Sequence, residues 1–568
     1  MTVSVVGSGP AVEAVTATLT DADVPVEQTD LSDLPRADLG VVVGLAGSDG
    51  FRQANERGLD GDTPWIAIEV GGIGGTPMAD VDAAVSALGP HGPCFECLRT
   101  RVASVDSDTA PEPRADRTNV RLAGVYAGQL AIRILSGEAV AGTVVEVPYA
   151  ERELHPAPHC TCAHEGDGTF EHRVLTRSLG ESLDHAERAI DERIGIVPEV
   201  GEHESFPAPY YLATVADTTT MSDGSAPGQA AGVDGDWNGA FMKALGEALE
   251  RYSAAIYRTS SFREATVEEV DGVPPTDFVR PDDAQTPGAS DPLRWVEGTA
   301  LRTDDPEWLP AEFVHFPPHE ERFTTPITTG LGLGNDPVEA ALSGLYEIVE
   351  RDATMLAWYS TFEPLELTVD DEAFRNLARR ARGEGLSVTP LLVTQDVDVP
   401  VVSVAVHRED WPSFAVGSAA DLDGRAAARS ALAEALQNWM ELRNMGAEAA
   451  AEAEGAIGRY ADYPRAVRSM TQPTGQIDVD SVGPAVDGGR EAVFDAVLDR
   501  VTTSDLEPYV VDLTPRDVER IGFSAVRVLV PSAQPLFVDQ AFFGERASSV
   551  PRDLGFEPRL DRPFHPYP

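Results

Sequence analysis

The chain opens with TVSVVGSGPAVEAVTATL, an apolar β-branched run that breaks at Gly7 and Gly9 and resumes with apolar residues at helical spacing. That order predicts a strand, a tight turn and a helix. Two more apolar runs, LGVVVGL and PWIAIEV, read as strands, NVRLAGVYAGQLAIRIL as a long helix and GTVVEVPY as a last strand. The alternation makes residues 1–165 an α/β unit. The stretch HEGDGTFEH, residues 164–172, has no period, and the domain boundary is placed there.

Beyond it, three helical stretches concentrate charge. GAFMKALGEALERYSAA contains Glu247, Glu250 and Arg251, and GLYEIVERDATMLAWY contains Glu347, Glu350, Arg351 and Asp352. Each is an E-x-x-E-R. At about 100° per residue the two glutamates of a pair fall about 60° apart, so both project from one face and could share a cation. For the first helix a solvated face is the competing reading: Phe241, Leu245, Leu249 and Tyr252 form a buried stripe, and Glu247 pairs with Arg251 at i,i+4. The second helix is apolar around more than half its circumference, through Leu342, Leu345, Tyr346, Ile348, Val349, Met355 and Leu356, with Asp352 inside that arc. Buried charges must be paired or bind a cation, so this helix marks a site. A third helix, GRAAARSALAEALQNWMELR, adds Arg429, Glu434 and Gln437.

Composition changes the picture in one respect. There are 94 Asp and Glu against 43 Lys and Arg, a net charge of −51, and Lys243 is the only lysine. Such a surface repels itself in dilute buffer, whereas at molar salt the Debye length falls to about 3 Å. The balance is expected of a protein from a high-salt cytoplasm, and it excludes nucleic acid and anionic membranes as partners. No apolar run approaches the ~20 residues of a membrane span, and no basic segment precedes the first apolar stretch, so a cytoplasmic location is expected.

The 4 cysteines fall into a C-x-x-C, Cys94 and Cys97, and a C-x-C, Cys160 and Cys162. Two short knuckles brought together by the fold are what zinc requires of four soft ligands. Two buried cysteine pairs, or a redox dithiol at Cys94 and Cys97, are the alternatives. The C-x-C is tight for a second knuckle, which leaves His159 or His164 as a replacement for one sulfur. At the first turn Val12 occupies the third glycine position of G-x-G-x-x-G, so a structural turn is favoured there over a dinucleotide site.

The glycine turn, the segment RQANERGLDGDTPWIAIEV and the cysteine pairs split around a helix together resemble a shortened ThiF-like domain, the ubiquitin-activating type of Rossmann fold. The resemblance implies a structural zinc on Cys94, Cys97, Cys160 and Cys162. It does not carry adenylation, because this unit has no lysine and no arginine that matches the family's phosphate-binding positions. The two E-x-x-E-R helices, the R-x-x-x-x-E-x-x-Q helix and TTGLGLGNDPVEAALSGLYEIVERDA resemble the YcaO family over residues 175–568. This implies a larger α+β domain in which Glu247, Glu250, Glu347 and Glu350 hold magnesium against ATP, while Arg251, Arg351, Arg429, Glu434 and Gln437 touch the nucleotide. One departure is Ala244, beside Lys243, where the family often has serine.

The resemblance also gives meaning to the end of the sequence, RPFHPYP, whose Pro563, Pro566 and Pro568 match a proline-rich motif that approaches the active site in azoline-forming members. A ThiF-like zinc domain ahead of a YcaO domain is the arrangement of azole-forming cyclodehydratases. The implied activity is ATP-dependent activation of a backbone amide in a peptide or protein substrate, closing azoline rings. A thioamide-forming enzyme, an accessory factor for ribosomal-protein methylthiolation and a non-catalytic peptide-presenting scaffold are the alternatives. No winged-helix leader clamp precedes the first strand, so a separate leader-recognition protein is expected, and relatives suggest a homodimer.

Overall fold

In the computed structural model the described residues are 2–106, 108–148, 150–162, 168–288, 290–452, 458–483, 486 and 488–567. The first strands and helices follow the predicted order: β1 (Val3–Val6), α1 (Pro10–Asp21), β2 (Val26–Gln28), β3 (Leu39–Leu45), α2 (Gly50–Asp60) and β4 (Trp65–Val70). β5 (Ala83–Leu88), α3 (Phe95–Ala103), α4 (Arg117–Leu135), β6 (Thr143–Val147) and β7 (Ala150–Glu153) complete the unit. The seven strands form one sheet in the order β2-β1-β3-β4-β5-β6-β7. It is parallel from β2 to β4 and antiparallel from β4 onward. β5 was not foreseen, because AAVSAL lacks the bulky β-branched alternation that announces a strand.

The strand alternation supplies both faces of this sheet. Val3, Val5, Val41, Ile66 and Ile68 pack against α1 and α4, and Val42, Trp65 and Ala67 against α2 and α3. The turn after β1 follows from close packing, since a Cβ on Gly7 would lie 2.6 Å from the Val43 carbonyl oxygen. Val12 faces the core of α1 and α4, so the residue that breaks the glycine fingerprint is a packing residue.

The second region is α+β. β8 (Glu199–Glu204), β9 (Tyr210–Thr214) and β10 (Gln229–Val233) form an antiparallel sheet that carries α5 (Trp237–Ala255). β11 (Leu293–Ala300), β12 (Leu331–Gly334), β17 (Tyr509–Asp512) and β18 (Ser524–Leu529) belong to a second sheet, ordered β11-β17-β18-β12, on which α6 (Pro337–Trp358) lies. β13 (Leu365–Thr368), β14 (Ser387–Leu392), β15 (Val401–His407) and β16 (Phe414–Ala420) form a third, covered by α7 (Gly424–Met445).

Each of the three helices starts at an aspartate. The carboxylates of Asp236, Asp336 and Asp423 accept the backbone N–H of Gly239, Glu339 and Arg425, the N-cap geometry that stops fraying. Each helix is then approached by a strand through a glycine. A Cβ on Gly232 would lie 2.2 Å from the Ala244 nitrogen, one on Gly332 2.1 Å from the Ala340 oxygen, and one on Gly417 2.4 Å from the Ala435 nitrogen. Ala244 is therefore where α5 receives its strand, and a larger side chain there would push the two apart.

The two regions meet through charge rather than a wide apolar seam. Arg101 of α3 is fully buried and hydrogen-bonds Asp517, which starts the short α8 (Arg516–Ile521) with Arg516 and also accepts the Tyr252 hydroxyl of α5 at 2.6 Å. Residues 163–167, where the boundary was expected to begin, lie outside the described residues, as do His164 and Pro568. By Leu175 the chain is tied to the second region, its N–H donating to Asp336 at 2.8 Å.

Candidate active site

The close approach of strand to helix sets the position of three glutamates. Ala231 N–H donates to Glu247 at 2.6 Å, Gly330 N–H to Glu347 at 2.9 Å and Ser418 N–H to Glu434 at 2.6 Å, each donor lying beside or within two residues of the glycine that touches the helix. One local device thus occurs three times: a small strand residue lets the backbone come close, and the freed N–H holds the helix's glutamate. α5, α6 and α7 in this way bring Glu247, Glu250, Glu347, Glu350 and Glu434 into one cleft.

Positive charge in the cleft is scarcer than negative. Arg351 stands 3.6 Å from Glu350 and 3.8 Å from Glu347, and Arg251 pairs with Glu247. Burial, with Glu347 and Glu247 adding repulsion, pushes the Glu250 carboxyl up to about 8. Burial also pushes Glu350 up to about 8, against the pull of Arg351 and a 2.7 Å hydrogen bond from the Ser418 hydroxyl. Glu247 and Glu434 are raised for the same first reason. Yet Glu247 and Glu347 keep side-chain exposures of 29% and 25%, so the cleft is open to a ligand. Carboxylates crowded together and short of cations, with solvent access, form a donor set that fits magnesium. Among the described residues these oxygens do not come together within 4.8 Å as a ready ligand cage. That spacing suits Mg²⁺ held by one or two carboxylates at a time plus oxygens of a bound phosphate.

Several of the predicted side chains have further partners. Glu247 accepts from Ala231 and pairs with Arg251, while Glu250 feels Glu347, Glu247, Arg251 and Arg527. Asp352 is not part of the cleft, because Arg546 binds it at 2.7 Å and Gln534 N–H donates to it at 2.7 Å. Arg429 pairs with Asp371 at 2.8 Å. Gln437 reaches Glu441 at 3.0 Å, and Glu441 also accepts the Tyr210 hydroxyl at 3.1 Å. Glu441, Ser418 and Arg527 went unrecognised in the sequence. Arg527 had a signal, being a lone arginine in the strand SAVRVL.

The proline-bearing end is packed, not loose. Trp358 at the end of α6 donates its indole N–H to the Pro563 carbonyl at 2.8 Å, His565 donates to the Phe537 carbonyl at 2.6 Å, and Tyr460 hydrogen-bonds the Phe564 carbonyl. Pro563 is exposed and Pro566 buried. Tyr567 is buried, and its phenol is held at about 12 by burial, with Glu350 and Glu434 close enough to add to the effect. Tyr567 therefore lies beside the glutamate cleft.

The four cysteines converge. Their sulfurs all lie within 4.8 Å of one another, with Cys94–Cys160 and Cys97–Cys162 at 3.5 Å and Cys94–Cys97 at 3.9 Å. A tetrahedron with Zn–S near 2.3 Å has edges of about 3.8 Å, so the set fits zinc without a histidine. His159 is not one of these ligands. Arg516 reaches in from α8, its Nη2 3.4 Å from the Cys162 sulfur and 3.7 Å from that of Cys97.

A family model described as YcaO cyclodehydratase, ATP- and Mg²⁺-binding, matches residues 232–534, the span that contains all three helices of the cleft. An uncharacterized protein of Methanothermobacter thermautotrophicus is 28% identical over 324 residues, covering 54% of this chain and 82% of the relative. Among solved structures, a heterocyclase in complex with substrate and cofactor superposes with a TM-score of 0.75 at 19% identity, covering 99% of this chain and 84% of that one. The heterocyclase TruD gives 0.67 at 20% identity, covering 98% and 82%. Both likenesses are of fold, and they run through the N-terminal region as well as the second. Among the described residues no helix is long and apolar enough to cross a membrane.

Proposed function

The chain belongs to the YcaO family, and from that premise we propose that it is an ATP-dependent cyclodehydratase that closes azoline rings on backbone amides of a ribosomally made peptide or protein. The observation that carries the reading is the cleft: glutamates from three helices, short of cations, with the 562–567 segment packed beside them. In this proposal Glu247, Glu250, Glu347 and Glu350 hold magnesium, which supplies the positive charge that ATP phosphates need. Arg251, Arg351, Arg429, Glu434 and Gln437 contact the nucleotide, and Pro563, Pro566 and Pro568 shape the peptide side.

The chemistry begins with a Cys, Ser or Thr side chain of the substrate giving up its S–H or O–H proton and adding to the preceding amide carbon. The carbonyl oxygen, now carrying the electron pair, takes the γ-phosphoryl group of ATP and ADP leaves. Phosphate then departs with that oxygen as the nitrogen lone pair forms C=N and the N–H proton is lost. The protein's part is to orient the amide and to oppose phosphate charge with arginine.

Residues 1–165 are assigned as a shortened ThiF-like domain whose cysteines hold structural zinc, and 175–568 as the YcaO domain. A separate leader-binding protein and a homodimer complete the assignment. The net charge of −51 supports a high-salt cytoplasm as its setting; the thermal midpoint should fall sharply between molar and ~0.1 M KCl, and an unchanged midpoint would refute that setting.

The deciding experiment is ADP release in response to added peptide, read beside peptide mass for loss of one water per ring. Deleting residues 564–568 should abolish the mass change and leave ATP affinity nearly intact. Peptide-independent ATP hydrolysis with no change in peptide mass would sink the cyclodehydratase reading.

A further inference from the structure

Behind the glutamate cleft lies a cavity of about 70 Å³ between β18, α6 and the loop that leads to β12. Three titratable side chains line it: Glu312, His315 and Arg527. All are more than nine-tenths buried. Each carries polar atoms without a hydrogen-bond partner among the described residues: Arg527 Nε and Nη1, Glu312 Oε2 and His315 Nδ1. Buried polar groups are normally satisfied, so three such side chains on one cavity point to something that uses them.

Their other bonds hold them in place. Arg527 Nη2 donates to the Ile327 carbonyl at 3.0 Å. Glu312 Oε1 accepts the N–H groups of Arg322 at 2.8 Å, Phe323 at 2.5 Å and Thr324 at 3.0 Å, which fixes the loop and leaves the second oxygen unused. Burial holds His315 neutral, down at about 3. The remaining wall is mostly apolar, including Phe313, Ile348, Val528 and Ala533, with Thr324, Thr325, Thr329 and Gln534 among it. Arg527 is shared with the cleft, since Glu347 and Glu250 are the carboxylates that favour its charge. Ile348 follows Glu347 on α6, and Thr329 precedes Gly330, whose N–H holds Glu347.

A guanidinium edge, a carboxylate oxygen and a neutral imidazole in a small, mostly apolar pocket complement a group that offers one acceptor and one donor at short range. A backbone amide next to a Cys, Ser or Thr side chain is such a group, and the volume suits a side chain of that size better than a larger one. We propose that this cavity is the acceptor subsite for the amide to be cyclised, with the carbonyl oxygen on Arg527 and the thiol or hydroxyl proton taken by Glu312. This rests on the cyclodehydratase reading. As the proton passes to the Glu312 carboxylate, the sulfur or oxygen lone pair forms the bond to the amide carbon. The C=O π pair moves onto the oxygen held by Arg527, on the side of the glutamates from which the phosphoryl group comes. Arg527 and Glu312 are then catalytic residues, and His315 positions the substrate.

The test uses the full chain in high salt with a synthetic peptide of Gly, Ala and Cys at millimolar concentration. Wild type should show peptide-stimulated ADP release and loss of water from the peptide. Ala533→Phe, which fills the cavity from a residue outside the machinery, should cut modification at least 100-fold with ATP affinity within threefold of wild type by calorimetry. Glu312→Gln should lower kcat with little change in peptide KM and remove the acid limb of the pH profile; Arg527→Lys should retain more activity than Arg527→Gln. If Ala533→Phe and Glu312→Gln are folded and modify peptide at the wild-type rate, the cavity holds only water and the proposal falls alone. A wild type that leaves the peptide unmodified brings down the proposal together with the reading beneath it.

Discussion

The cysteine cluster and the glutamate cleft both gather ligand atoms from distant parts of the chain, yet they are built to opposite ends. The sulfurs close on one another to within 4.8 Å, with Cys94 and Cys97 buried and Arg516 backing Cys97 and Cys162, and nothing more is needed to complete a tetrahedron. The glutamates are held apart by three separate strand N–H bonds and keep an opening to solvent. A closed set of soft ligands is a fastener, and an open, under-neutralised set of hard ones is a place where something arrives.

Metal stripping should give the largest effect on this contrast. Structural zinc contributes about 10 kcal/mol or more to folding, comparable with the whole stability of a typical domain. One zinc per chain by elemental analysis, and cooperative unfolding of the N-terminal region after chelation or Cys160→Ser, are expected. The loss should spread, because Arg516 on α8 contacts two of the sulfurs and its neighbour Asp517 holds both Arg101 and Tyr252 of α5. Nucleotide affinity should therefore drop on chelation. A folded, metal-free protein with full affinity would erase the distinction between the two sites.

At the cleft the expected behaviour is reversed. Glu347→Gln and Glu350→Gln each remove a charge and keep the shape, so nucleotide turnover should fall by about 10²–10³-fold. The thermal midpoint should hold or rise, since an amide at either position no longer repels the neighbouring carboxylates, one of which, Glu350, burial already pushes up. ADP release beside a melting curve checks both halves. Wild-type turnover in either variant would show that the glutamates are a structural network and not a site.

Much of this contrast was legible in the sequence, and the unread part has a physical pattern. C-x-x-C, C-x-C and E-x-x-E-R are local spacings, and local spacing fixes which side chains share a knuckle or a helix face. β1, β3, β4 and α4 were legible for the same reason. Which other groups would surround the E-x-x-E glutamates was not, because the backbone N–H that holds Glu247 and the Arg527 near Glu250 are contributed from elsewhere. Asp352 drew attention as a buried charge, but its partner Arg546 lies far along the chain. Arg527 and Glu312 come from a strand and a single helical turn, and only the folded arrangement puts them on one cavity.

The smallest expected effect concerns Glu69, which tests whether burial of a carboxylate is enough to mark a site. It is fully buried at the end of β4, and its two oxygens accept the Gly74 N–H at 2.7 Å and the Gly75 N–H at 2.6 Å. Burial is the dominant influence and outweighs those two bonds and the distant Arg99, leaving the carboxyl pushed up to about 7 from the usual 4.5. The folded protein thus keeps a proton that the unfolded chain releases. Its contribution is fully present below pH 4.5 and is lost as pH rises through about 7. The difference corresponds to about 3 kcal/mol at most. In molar salt the midpoint of the N-terminal region should fall between pH 5 and 7.5, and Glu69→Gln should flatten that slope, because the amide keeps one acceptor oxygen and has no charge to bury. ATP turnover should be unaltered. Unlike the cleft glutamates, Glu69 is closed to solvent, and among the described residues the groups that act on it are Gly74, Gly75 and Arg99, so its burial serves the glycine turn. A Glu69→Gln variant with the wild-type pH slope would mean that the backbone N–H groups of Gly74 and Gly75 keep this carboxylate charged, and burial would then lose its standing as the main force on acids in this protein.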